Sequence, residues 1–188
     1  MLPTAVHIRE APDSSLFALP RGDLEPAWEV ATEGTITAVH SGENRCCIGD
    51  DGGNIAVFGS DGETAWSGSV PAAVRTVLTL DDGGAVAGGD AEKVVRFDGF
   101  GKEVWSNQLV WQPMNWDYWT RYNVHVLSLT AGDVNGDGKQ EILAGCADRH
   151  IYVFDGAGEM LWRSACQWGP PTCLELARLQ EGPELQIL

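Results

Sequence analysis

Apolar and polar positions alternate along this chain in short runs, and clusters of Gly, Asp and Ser separate one run from the next. Between residues 35 and 67 the runs fall at 35–40, 45–49, 54–59 and 64–67. Runs this short, bounded by turn residues, predict four strands, named a to d. The set recurs at 74–80, 85–89, 94–98 and 103–106, and a third set occupies 123–162. The pattern leaves almost no room for a helix, so the chain is expected to be all-β.

The sets are copies of one another. CIGDDGGNIAVFGSDGETAW from Cys47, VAGGDAEKVVRFDGFGKEVW from Val86 and LAGCADRHIYVFDGAGEMLW from Leu143 align without a gap. Gly49, Gly88 and Gly145 each stand seventeen residues before the closing Trp, Phe58, Phe97 and Phe154 eight before it, and Gly62, Gly101 and Gly158 four before it. A weaker copy, FALPRGDLEPAW, begins at Phe17, so the units close at Trp28, Trp66, Trp105 and Trp162. The steps between them are 38, 39 and 57 residues, the last lengthened by an insertion. A period near forty built from strands signals propeller blades or a β-solenoid. Four antiparallel strands per period favour the propeller, whose blades hide one another's apolar faces.

The units resemble the repeats of PQQ-like (quinoprotein-type) β-propellers, from about Phe17 to Trp162. The resemblance implies that each strand-d Trp (Trp28, Trp66, Trp105, Trp162) docks onto the next blade. It implies little about function, because most repeats of this kind bind no quinone, and PQQ is not expected here.

One loop carries chemistry. Residues 133–141, DVNGDGKQE, put oxygen side chains at loop positions 1, 3, 5 and 9 and Gly138 at position 6, where the chain must turn sharply. Hard cations such as Ca²⁺ take six to eight oxygen ligands, and alternate residues of a tight loop can supply them. The EF-hand form ends in Glu at position 12, which here is Ala144. Glu141 followed by Ile142 and Leu143 instead resembles the calcium loops of FG-GAP repeats in integrin-type propellers. That resemblance implies the ligands Asp133, Asn135, Asp137, the Lys139 backbone carbonyl and Glu141, holding one calcium ion in an a–b loop. The alternative is a plain acidic Asx-turn, since Asn-Gly and Asp-Gly are common turn dipeptides. One site is expected, because the counterpart at 80–84 is an ordinary turn and the counterpart at 178–182 begins with Arg178.

The insertion spans 109–122 and carries five aromatics: Trp111, Trp116, Tyr118, Trp119 and Tyr122. It lies in a d–a connection, so it should open on the face opposite the 133–141 loop. Two readings stand. Trp111, Trp116, Tyr118 and Trp119 could stack on a sugar, a peptide or an aromatic cofactor, with Asp117 and Arg121 orienting it. Equally, the aromatics could fold back as a small core of their own.

Composition narrows the class. The 188 residues suit a single domain, 1–188, with 27 acidic against 12 basic side chains and a net charge of −15. Phosphate binding needs a basic surface, so nucleic acid and anionic membranes are not expected partners. No apolar run approaches the roughly twenty residues of a membrane-spanning helix. The start, MLPTAVHIREAPDSS, lacks a basic region followed by an apolar one, which points to the cytoplasm, or to an extracytoplasmic site if the N-terminus has been cut. Cys46, Cys47, Cys146, Cys166 and Cys173 show no CxxC spacing and read as free thiols. Cys46 and Cys47 alternate across a strand, so one of the two is expected in the core.

Both ends look cut within a repeat, with 172–188 reading as strand a and the start of b. The total is about four blades' worth, either closed as a small ring or forming an arc of a larger one, whose free blade faces would favour oligomerisation. No motif of nucleophilic or metal-dependent catalysis is present, and His7, His40, His125 and His150 are scattered. The expected function is a non-catalytic, calcium-stabilised scaffold for a protein or carbohydrate ligand. The alternative is part of a propeller enzyme acting on carbohydrate, or of a quinone-dependent dehydrogenase.

Overall fold

The structure, a computed structural model, describes residues 27–111, 122–179 and 185–188. These residues form three four-stranded antiparallel sheets, each in strict chain order. The first holds β1 (Ile36–Ser41), β2 (Arg45–Asp50), β3 (Asn54–Gly59) and β4 (Thr64–Ser69). The second holds β5 (Val74–Thr79), β6 (Ala85–Gly89), β7 (Lys93–Phe97) and β8 (Glu103–Gln108). The third holds β9 (Val126–Gly132), β10 (Glu141–Cys146), β11 (His150–Phe154) and β12 (Met160–Ala165). A fourth begins as the pair β13 (Leu176–Ala177) and β14 (Gln186–Ile187).

Observed boundaries follow the hydrophobic pattern to within a few residues, with one systematic difference. Strand d runs on to Ser69, Gln108 and Ala165, past the end of its apolar residues. Gly68 and Ser69 still pair with Ile55 and Asn54, and Asn107 with Val94. A ladder is held by backbone groups, so an exposed edge strand continues through polar side chains. Each c–d pair also slips register at the same place, between Val57 and Phe58, Arg96 and Phe97, and Val153 and Phe154. Three bulges at one repeat position are a designed twist rather than a defect.

The sheets stack face to face: β5 lies on β1 and β2, β9 on β5 and β6, and β13 on β9. Two large apolar cores fill the joints. Cys47, Val57 and Trp66 of the first sheet meet Val74, Val95 and Phe97 of the second, and Val86 and Val94 meet Val126, Leu129 and Phe154 in the next joint. A smaller core joins Leu143 and Val153 to Leu174. Strand b is sandwiched on both sides, so every residue of β6 and β10 is buried. The cysteine pair departs from the expectation of one core thiol: Cys46 and Cys47 are both buried, at 5% and 0% exposure, and Cys47 packs in the joint with the second sheet. All five cysteines are free, and burial pushes the Cys47 thiol up to about 12.

Candidate functional site

The repeated offsets describe one device. Trp28 lies against Phe58 at a centroid distance of 5.9 Å, Trp66 against Phe97 at 5.7 Å and Trp105 against Phe154 at 5.9 Å, with interplanar angles of 34°, 34° and 38°. The turn glycine completes each dock. A Cβ on Gly101, whose φ is +80°, would stand 2.9 Å from the Trp66 ring, and one on Gly158 2.7 Å from the Trp105 ring. The Trp66 indole also donates to the Gly83 carbonyl at 3.2 Å. Trp162 departs from the expectation. It is 41% exposed, because the described residues of the fourth sheet include no strand c for it to meet.

The 133–141 loop joins β9 to β10 on the a–b side. Asp133 gathers the loop around itself: its Oδ1 accepts from the Gly136 and Asp137 amides at 2.7 and 3.1 Å, and its Oδ2 from Gly138 at 2.8 Å. Asn135 Oδ1 takes the Asp137 amide and Asp137 Oδ1 the Lys139 amide, both at 2.8 Å. Gly136 and Gly138 have φ of +79° and +82°. Open space surrounds both, so it is the left-handed backbone that calls for glycine. Glu141 differs from the rest in being 2% exposed. Its carboxylate accepts from the Val134 amide at 3.0 Å and from Asn135 Nδ2 at 3.2 Å, and among the described residues it has no cationic partner. The five donors have the chemistry of a hard-cation site. As arranged, the carboxylates face amides, and no three acidic, His or Cys side chains among the described residues converge on one point.

A polar cavity of about 500 Å³ opens beside this loop, lined by His40, Arg45, Thr79, Asp81, Thr130 and Gln140. His40 Nδ1 accepts the Thr79 amide at 3.1 Å and meets its hydroxyl at 2.9 Å. Burial holds the His40 pKa below its ordinary value of 6.5, partly offset by the charge of Glu175.

The stems of the insertion meet the b–c turn at Glu92, at the other end of the strands from the 133–141 loop. Trp111 is partly buried against the core of the second joint. Trp116, Asp117, Tyr118, Trp119 and Arg121 lie outside the described residues. The base of the insertion is well defined. The Glu92 carbonyl accepts from Leu109 N at 2.8 Å and Gln108 Nε2 at 3.0 Å, while Glu92 Oε1 accepts from Val124 N at 2.9 Å. Arg149 donates to the Tyr122 hydroxyl at 3.0 Å and stands 5.0 Å over its ring. His125 Nδ1 lies 3.2 Å from Asp90, which also pairs with Arg75. The hydrogen bond from Arg75 holds the Asp90 carboxyl below its ordinary range. His40 and His125 therefore serve different sites.

Repeat reasoning did not anticipate the buried knot in the third b–c turn. Asp148, 1% exposed, accepts the Tyr152 hydroxyl at 2.7 Å and lies 3.2 Å from His150 Nδ1. Burial, then the bond to Asp148, pushes the Tyr152 pKa up. The first sheet closes the same turn differently, with Asp50 accepting the Asn54 amide at 2.7 Å and its side-chain amide at 2.8 Å. The residues stand at different offsets in the two units, so alignment of the repeats hides their shared job.

No protein-family model matches the chain, and no curated protein matches it in sequence. Solved structures match it in shape. The computationally designed Ika4 protein aligns over 84% of this chain and 92% of its own, at 18% identity and a TM-score of 0.61. BamB from Moraxella catarrhalis aligns over 76% of this chain and 41% of its own, at 19% identity and 0.59. The RRP9 WD40 repeats align over 77% of this chain and 43% of their own, at 10% identity and 0.60. The chain thus spans less than half the length of the last two. Sheets of four antiparallel strands in chain order, stacked blade on blade and shared with these structures, give the chain the fold of a β-propeller.

Proposed function

We propose that the protein is a non-catalytic β-propeller scaffold of the PQQ-like type, without quinone, whose third blade is fastened by one calcium ion and whose aromatic insertion receives a protein or carbohydrate partner. The observation that carries the calcium reading is Glu141. A buried carboxylate met only by two neutral donors is costly, and a cation at the loop would offset that cost. Asp133, Asn135, Asp137, the Lys139 carbonyl and Glu141 would hold the ion. The ion's role would be structural, tying the long a–b loop to β10. The three Trp–Phe–Gly docks support the repeat type.

Calorimetric titration with calcium tests the reading, together with melting in calcium and in chelator, on the full chain and on Asp133→Ala/Asp137→Ala. At calcium about a hundredfold above Kd, linkage supplies about 2.7 kcal/mol. That corresponds to a rise in Tm of roughly 5–10 °C for a chain of this size. One site with that shift, absent from the double variant, is the expected result. No heat of binding and equal Tm with and without chelator would reduce the loop to an Asx-turn. For the partner, tryptophan quenching by oligosaccharides and peptides should saturate in the native chain and vanish in Trp116→Ala/Trp119→Ala.

A further inference from the structure

We propose that Glu92 and Arg149 are positioning residues that clamp the two stems of the aromatic insertion onto the propeller. The blades themselves supply the control. The same b–c turn position is Gly53 in the first blade, Glu92 in the second and Arg149 in the third, and all three have positive φ: +87°, +55° and +65°. All three also use the backbone carbonyl alike, accepting from Val70, Leu109 and Cys166 at 2.8, 2.8 and 2.7 Å. The carbonyl is therefore the common structural role, and glycine fills it without strain. Glutamate and arginine are poor left-handed residues. What they add over Gly53 is a side chain: that of Glu92 reaches Val124, two residues past the insertion, and that of Arg149 reaches Tyr122, its last residue.

Glu92 holds both ends at once. Its carbonyl takes Leu109 where the chain leaves β8, and its carboxylate takes the Val124 amide where the chain returns towards β9. Leu109 and Val124 are 5% and 1% exposed, so both stems rest in the core. Arg149, from the next blade, grips Tyr122 two residues before Val124 by a hydrogen bond and by its guanidinium over the ring. Asp90, in the same turn as Glu92, adds the contact to His125. The connection from β4 to β5, which has no insertion, is the one served by Gly53. This inference stands whether or not the insertion binds a ligand or the loop binds calcium.

Residue-resolved amide exchange on the full chain tests it, comparing the native protein with Glu92→Gly, Glu92→Asn and Glu92→Gln. Glycine and asparagine accept the left-handed backbone, but neither carries a carboxylate to Val124; glutamine keeps an acceptor at the same reach. Exchange of the Val124 amide should rise on the order of tenfold in Glu92→Gly and Glu92→Asn and stay near native in Glu92→Gln, with Val95 and Leu129 unchanged. Chymotryptic cleavage after Tyr122 should likewise quicken in Arg149→Gly at unchanged Tm. Val124 exchange equal to native in Glu92→Gly, or a matching loosening of Val95 and Leu129, would overturn the clamp: the first makes the side chain idle, the second makes its role general stability.

Discussion

At the scale of single residues, the closing tryptophans form a graded series. Trp66 is 5% exposed and donates its indole proton across the joint, whereas Trp162 is 41% exposed. Trp66→Ala is expected to cost about 3–5 kcal/mol, as large buried aromatics do, and Trp162→Ala less than about 1 kcal/mol. Urea denaturation of the two variants measures the difference, and equal losses would refute the docking account. His40 gives a pH-dependent counterpart. Its pKa is lowered on folding, so the unfolded chain binds the proton more readily. Stability from this group is full above pH 6.5 and falls as pH drops below that value towards the folded pKa. Proton uptake also removes the acceptor that Nδ1 offers the Thr79 amide. His40→Asn, which keeps an acceptor and does not titrate, should flatten the slope of stability below pH 6.5, as chemical denaturation at each pH would report.

At the scale of elements, the b–c turns show one backbone job done by different side chains. Tyr152 donates to the buried Asp148, so Tyr152→Phe leaves a desolvated carboxylate short of a donor. A loss of about 1–3 kcal/mol is expected. A variant as stable as the native protein would mean that water or His150 takes over the bond. The repeat alignment could not foresee this knot, since Asp50 and Asp148 occupy different offsets yet both tie off a turn. Turn chemistry depends on which donor can reach, not on register within the repeat. The 133–141 loop is the opposite case: its spacing was legible, and the structure adds that Glu141 is buried while Asn135, Asp137 and Lys139 are exposed.

At the scale of the whole molecule, each complete sheet packs on the next, and two separate cores fill the joints between the three complete sheets. Trp66 belongs to one core and Tyr152 to the other. The costs of Trp66→Ala and Tyr152→Phe should therefore add to within about 0.5 kcal/mol in the double variant, by denaturation under identical conditions. A larger coupling would show that the joints communicate. The sequence alone determined the four-strand set and the blade repeat, because period-two patterning, turn glycines and a recurrent Trp are local properties that survive in one dimension. Tertiary structure decided the rest. Cys47 is buried because the second sheet covers its face of β2, and Trp162 is exposed because no described strand covers it. Glu92 and Arg149 became readable only once strands far apart in the chain stood side by side, since a clamp is a relation between distant residues and leaves no period to count.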